Sequence, residues 1–193
     1  MATRRFRVLK PEMRVLGVDD GVFRPHTKGS VSVVGVVFRG GYWLDGVMHT
    51  RIEIDGLDAT DKIASMINGS PHRRQLRVTV LDGVTFAGFN VVNINELWDS
   101  TKIPVIAVTR EKPDFGRIQA ALKNLSSSEA RWKALTSGGT VYCASVRNRG
   151  IYMQLSGIVE EDAAKILKLA STRSVIPEAL RVAHLIASGV SRS

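Results

Sequence analysis

Cysteine is nearly missing from this chain. Cys143 is the only one in 193 residues, which excludes an internal disulfide and fits a reducing compartment, with the cytoplasm as the default. Long hydrophobic runs are also missing. The longest, around Val31 to Phe38, is far short of the ~20 residues a membrane helix needs, so no membrane association is expected. No apolar segment of the signal-peptide kind follows the basic start. There is no repeat, no low-complexity tract and no linker long enough to divide the chain, so one domain is expected over 1–193, with 1–11 as a basic flexible arm ending at Pro11.

Acid is scarce too. Eighteen Asp and Glu stand against 27 Lys and Arg, a net charge of +9. A surface this basic concentrates polyanions. Arginines cluster at Arg4, Arg5 and Arg7, at Arg73, Arg74 and Arg77, and at Arg147 and Arg149. Within that basic chain, Asp45, Glu53, Asp55, Asp58 and Asp61 crowd one short segment. Acids gathered inside a basic surround suit metal ions gripping a phosphate.

What is present is a pair of aspartates, each closing an apolar run and followed by a glycine. One is Val15-Leu16-Gly17-Val18-Asp19-Asp20-Gly21, the other Leu76-Arg77-Val78-Thr79-Val80-Leu81-Asp82-Gly83. Each reads as a buried strand that delivers a carboxylate to its C-terminal edge. Two unit charges ~4 Å apart repel by about 4 kcal/mol at an effective dielectric of ~20. A divalent cation between them removes that penalty. Asp20 points to the other face by strand parity and is the weaker ligand candidate.

The order of elements predicts how the two aspartates meet. A strand to Asp19, a loop over 21–30, a β-branched strand from Ser30 to Phe38 and a third strand from Tyr42 to Ile54 precede a helix from about Asp58 to Ile67. The Asp82 strand follows, then a glycine-punctuated loop to Asn90, a helix near Asn93 to Ser100 and a strand from Ile103 to Thr109. Helices near 114–125 and from Ser128, a hairpin around Asn148-Arg149-Gly150, and helices from about Glu160 and Pro177 complete the chain. This is an α/β, ribonuclease H-like arrangement: a mixed sheet of order 3-2-1-4-5 with strand 2 antiparallel, flanked by helices. The helix between strands 3 and 4 supplies the crossover that a parallel pair of strands 1 and 4 requires. Asp19 and Asp82 then share one sheet edge.

The segments Val78 to Val91, Gly17 to Gly21, Ile54 to Thr60 and Pro177-Glu178-Ala-Leu-Arg181-Val-Ala-His184 resemble the archaeal endonuclease dU family, a distant relative of endonuclease V. The resemblance covers essentially the whole chain. It implies a Mg²⁺- or Mn²⁺-dependent endonuclease acting on DNA with deaminated bases, most simply deoxyuridine, in DNA repair. By position it makes Asp19 and Asp82 the metal-holding carboxylates, with Asp58 first and Asp61 second as the further acid, and His184 as a polar group at the site. Two Mg²⁺ ions on Asp19 and Asp82 are expected to clamp an attacking water and a leaving 3′ oxygen. Arg73, Arg74 and Arg77 are candidates to hold flanking phosphates, and Gly83 and Gly88 to offer loop N–H groups. Asn90, with Phe86 or Phe89, is the candidate reader of a uracil edge.

The chain also departs from endonuclease V. It has His49-Thr50-Arg51-Ile52 where that family carries a Tyr-containing wedge, and lacks the His-Pro pair after Asp-Gly, so hypoxanthine recognition does not carry over. A phosphoacceptor receiver domain is disfavoured by two consecutive strands over residues 31–54. A non-catalytic nucleic-acid binder of the same fold, RNA in place of DNA, deoxyinosine in place of deoxyuridine, and monomer against homodimer through Leu180, Leu185 and Ile186 stay open at this level.

Overall fold

The computed structural model describes residues 5–25 and 27–191; Arg4 and the start of the basic arm lie outside them. Four strands build the first half of the sheet: β1 (Arg14–Asp20), β2 (Ser30–Arg39), β3 (Trp43–Glu53) and β4 (Leu76–Asp82). Between β3 and β4 runs helix α1 (Ala59–Asn68). A two-stranded ribbon, β5 (Thr85–Phe86) and β6 (Asn90–Val91), precedes α2 (Ile94–Thr101) and β7 (Val105–Thr109). Then come α3 (Phe115–Leu122), α4 (Ser128–Leu135), the hairpin β8 (Tyr142–Val146) and β9 (Arg149–Ser156), α5 (Glu160–Ala170) and α6 (Glu178–Val190).

The main sheet has seven strands in the order β3-β2-β1-β4-β7-β9-β8. Its first five reproduce the expected 3-2-1-4-5 order. The hairpin was not placed by the sequence; it extends the sheet because β9 pairs antiparallel with β7, Ile106 opposite Leu155. β1 and β4 are parallel, in register from Val15↔Val78 to Val18↔Leu81, one step short of Asp19 and Asp82.

β-branched and leucine side chains alternate along the strands and fill a core on each face. Val15, Val34, Val36, Val78, Val80 and Ile106 pack with residues of α5 and α6. Leu16, Val18, Val33, Val37, Leu81 and Val105 pack with residues of α1 and α2. By this parity Asp19 and Asp82 extend the α6 face, and Asp20 the opposite one. Residues 5–11 carry no regular element. Even so, the Phe6 backbone N–H donates to Asp162 Oδ2 at 2.8 Å, and Phe6 and Leu9 pack against the α5/α6 core. No helix among the described residues is long and apolar enough to cross a membrane.

Candidate metal centre

The helix that completes the site lies unusually close to its strand. A Cβ on Gly17 would collide with the backbone of Ala179 and Leu180, and one on Gly21 with Ala187 O and the Ser191 side chain. The facing residues of α6, Ala179, Ala183 and Ala187, are all buried and recur every four positions. Small residues on both partners therefore seat α6 directly over β1. The start of the helix is pinned by Glu178, 2% exposed, which accepts the Arg173 backbone N–H at 3.1 Å and pairs with Arg181 at 2.8 and 2.9 Å. Negative charge in a first turn is also favoured by the helix dipole.

One consequence is the placement of His184, one residue beyond Ala183. Its Nδ1 lies 2.8 Å from Asp19 Oδ2. Asp19, Asp82 and His184 each present a ligand atom within 4.8 Å of the others. Asp19 is 4% exposed and reaches, with the more open Asp82 and His184 ring, a cleft of about 380 Å³ that Asp20 and Phe23 also line. Burial, and next the charge of Asp82, push the Asp19 carboxyl up to about 7. Asp20 and Asp82 are also raised, chiefly by burial, while Arg110, at the end of β7, and then His184 pull Asp82 down. A donor set of two carboxylates and an imidazole, with its acids held above their ordinary range, fits a divalent cation: a positive charge there relieves both the repulsion and part of the desolvation.

Asp58 and Asp61, expected as further ligands, are not in that cluster. Asp58 Oδ1 accepts the Glu53 backbone N–H at 3.2 Å and the Asn90 amide at 2.6 Å, so it braces the turn that starts α1. Asp61 is exposed in the first turn of α1, where it complements the helix dipole. Other acids of that segment have structural partners too. Asp45 pairs with Arg14 at 2.7 Å and Arg39 at 3.3 Å, and Asp55 Oδ1 accepts the Phe89 N–H at 2.8 Å.

The expected nucleic-acid contacts are redistributed as well. Arg73, Arg74 and Arg77 precede or begin β4, so they stand at the sheet edge opposite Asp82. Arg73 bonds Asn68 Oδ1 at 2.9 Å and the Thr101 carbonyl; Arg74 and Arg77 line a separate groove with Arg7 and Lys10. The N–H of Gly83 donates to Val108 O at 2.8 Å. Gly88, at φ +87°, packs its bare Cα beside the Asp55 carboxylate, a position that tolerates no side chain. Asn90 is fully buried: it accepts the Ala59 N–H at 3.0 Å and donates to Glu53 O at 2.9 Å. Phe86 is core at 1% exposure, and Phe89 is half-buried. These groups shape the loop; they do not present a reading edge.

Two residues that matter here, Arg110 and Arg131, escaped the sequence reading, and Asp20 was read only as a weaker ligand candidate. Arg110 flanks Asp82 from the end of β7, a place that strand order alone makes adjacent. Asp20 Oδ2 accepts the Ala87 N–H at 2.6 Å, tying the β5–β6 ribbon to the site. Arg131, 3% exposed, donates to Gly56 O at 2.8 Å, Asp55 O at 2.6 Å and the Phe89 carbonyl.

Residues 11–191 match the model of the family described as endonuclease dU. The chain belongs to the endonuclease dU family. Its relatives include the UPF0215 protein of Methanothermobacter thermautotrophicus, 50% identical over 192 residues and covering 99% of this chain and 94% of that one. Among solved structures, a protein of unknown function from Archaeoglobus fulgidus superposes with a TM-score of 0.84 at 38% identity, covering 93% of this chain and 98% of that one. Endonuclease V of Ciona intestinalis, solved with a 24mer DNA containing an inosine followed by a ribo-adenosine, gives a TM-score of 0.62 at 15% identity over 94% of this chain and 86% of that one. The endonuclease dU chain thus shares the endonuclease V fold.

Proposed function

We propose that this protein is a divalent-metal-dependent endonuclease that cuts DNA at or near deaminated bases, deoxyuridine first among them. The observation that carries the reading is the convergence of Asp19, Asp82 and His184 on one face of the sheet, in an open cleft. The family's description supplies the lesion, and the DNA held by the Ciona endonuclease V supports DNA as the substrate of this fold.

Asp19 and Asp82 would hold the metal, Mg²⁺ or Mn²⁺, with few protein ligands and several waters, as Mg²⁺ prefers. Such an ion supplies charge neutralisation at the scissile phosphate and makes water a competent nucleophile near neutral pH. The chain's own groups do the rest. His184, with Nδ1 2.8 Å from Asp19 Oδ2, would donate Nδ1–H to an ionised Asp19, and in that tautomer Nε2 is the ring's proton acceptor. Arg110 brings a fixed positive charge to the phosphate side of Asp82. Beside Gly83 a small apolar cleft of about 80 Å³ opens, walled by Val84, Thr85, Phe115, Ile118 and Met153; its apolar walls would pack against a base turned out of the stack.

The test is cleavage of end-labelled oligonucleotides carrying one deoxyuridine, one deoxyinosine or no lesion, with Mg²⁺ or EDTA. Wild type should nick near deoxyuridine only with Mg²⁺, and Asp82→Asn should not. Normal cleavage by Asp82→Asn would remove the assignment, and binding without cleavage under any metal would make the chain a non-catalytic module.

A further inference from the structure

Arg147 lies in the turn of the β8–β9 hairpin and Arg149 follows it, and nothing in the metal centre uses them. Arg147 and Asn148 both adopt left-handed backbone angles, φ 49° and 64°, as a two-residue hairpin turn of the primed kind demands. Arg147 Nη1 donates to Thr172 O at 2.7 Å, which ties the hairpin tip to the segment after α5. The next residue in that segment is Arg173. Arg110 reaches the same place from the end of β7. Four guanidinium groups from three separate parts of the chain thus line one cleft of about 370 Å³, with Ser174 and Ile176 beside them and, among the described residues, no acidic one in its wall.

Like charges so placed repel by roughly 0.5 kcal/mol per pair at ~8 Å even in water. Glu178, on the adjoining helix, offers no relief, since both its oxygens are engaged by Arg181 and the Arg173 N–H. An anion would offer it. The cleft is also not isolated. Through Arg110, Ser174 and Ile176 it runs into a second one of about 680 Å³, which reaches Asp82 and His184 and carries Glu111 in its wall.

We propose that the Arg110–Arg147–Arg149–Arg173 cleft is a phosphate subsite that receives the backbone of the substrate strand as it leaves the carboxylates. The identity of the polyanion rests on the nuclease reading; the anion site itself does not. A continuous furrow of arginine, without an aromatic wall or an enclosed base pocket, recognises sugar–phosphate and not sequence. It also gives the substrate a direction: the strand passes from Asp82 over Arg110 towards the hairpin tip.

The test uses Arg149→Gln/Arg173→Gln, both exposed positions, with Lys62→Gln/Lys165→Gln on the outer surfaces of α1 and α5 as a charge-matched control. Melting temperatures first establish that both variants fold. Binding of single-stranded oligonucleotides is then measured in EDTA over a range of salt. Loss of two phosphate contacts should reduce the slope of log K against log salt by about 1.4 in the arginine variant, and not in the control. Trimming the oligonucleotide on one side of the lesion should bring wild type down to the variant's affinity; trimming the other side should leave the difference intact. An unchanged slope in the arginine variant, or the same loss in the control, would overturn the subsite. If wild type binds no oligonucleotide, the nuclease reading fails and the probe becomes inorganic tripolyphosphate, followed by calorimetry. Binding by wild type and not by the arginine variant would keep the anion site; equal binding, or none, would end it.

Discussion

The 2.8 Å contact between His184 Nδ1 and Asp19 Oδ2 spans two elements that only glycine allows to touch. Gly17 sits two residues before Asp19 on β1, and the first turn of α6 occupies the space a side chain there would fill. The separation of strand and helix therefore sets the separation of carboxylate and imidazole.

Gly17→Ala should thus damage two properties together. Overpacking costs about 1–3 kcal/mol, and because the atoms in the way are backbone atoms of Ala179 and Leu180 the helix itself must move. We expect a lower melting temperature and weaker Mn²⁺ binding, read by calorimetry. Gly139→Ala serves as a contrast: unlike Gly17, Gly139 has a positive φ, at +63°, and a Cβ there would meet no neighbour within 4 Å. It should lose stability through backbone strain while keeping its metal affinity. A Gly17→Ala protein with wild-type Mn²⁺ affinity would show that α6 does not set the site.

The raised Asp19 carboxyl predicts an unusual pH dependence in the metal-free protein. Its value in the folded chain is about 7 against 3.8 for the free side chain. Below 3.8 both states hold the proton. Between 3.8 and about 7 the folded state keeps a proton that the unfolded state has lost, so stability falls as pH rises through that window and levels off above it. Asp20 and Asp82 are shifted the same way and add to the slope. In EDTA, denaturant midpoints should decline from pH 4 to 7, and Asp19→Asn should flatten the decline. Added Mg²⁺ should stabilise more at pH 8 than at pH 5, since it competes with the same protons.

Asn90 gives a prediction about stability and not about recognition. Its amide carries three bonds in a fully buried place, to Ala59, Glu53 and Asp58. Asn90→Ala leaves the buried Ala59 N–H without its partner, at about 1–3 kcal/mol, and takes one of two bonds from the Glu53 carbonyl and from Asp58 Oδ1, which keep the Gly56 and Glu53 N–H groups. Urea unfolding should show a loss of about 1–3 kcal/mol, with the ratio of deoxyuridine to deoxyinosine cleavage unchanged in whatever folds. A changed ratio at wild-type stability would restore Asn90 as a base reader.

The strands, the central order of the sheet and the meeting of Asp19 with Asp82 were legible because they follow from apolar runs, crossover rules and parity. So was the start of α3 near residue 114, where Asp114 accepts the Arg117 N–H at 3.1 Å. The further acids were misplaced for a definite reason. Asp45, Asp55 and Asp58 are close in sequence, but each is taken by a partner distant in sequence: Arg14, Phe89 and Asn90. Arg73 to Arg77 are near Asp82 in sequence, yet a strand of seven residues separates them in space by roughly 20 Å. Arg110 and Arg131 were illegible because their roles depend on which loops meet across the sheet. The small-residue pattern Gly17/Gly21 against Ala179/Ala183/Ala187 was present in the sequence, and it is the signal that would have seated α6 on β1.

Arg110 separates charge stabilisation from mere attraction of the substrate. It acts on Asp82 across the cleft and lowers that carboxyl's pKa, and it stands where the furrow from the hairpin arginines reaches the carboxylates. A positive charge there meets a phosphate whose negative charge grows on the leaving oxygen, so its loss should fall mainly on the chemical step. Arg110→Gln is expected to slow single-turnover cleavage by about 10²–10³, the size seen for removing one preorganised donor. The same variant should raise the pH at which Asp82 ionises and move the acidic limb of the pH–rate profile upward. Arg110→Lys keeps the charge but not the planar fork; it should hold the limb in place while recovering only part of the rate. A variant that weakens binding without slowing the saturated step would reduce Arg110 to one more member of the phosphate track, with no part in the chemistry at Asp82.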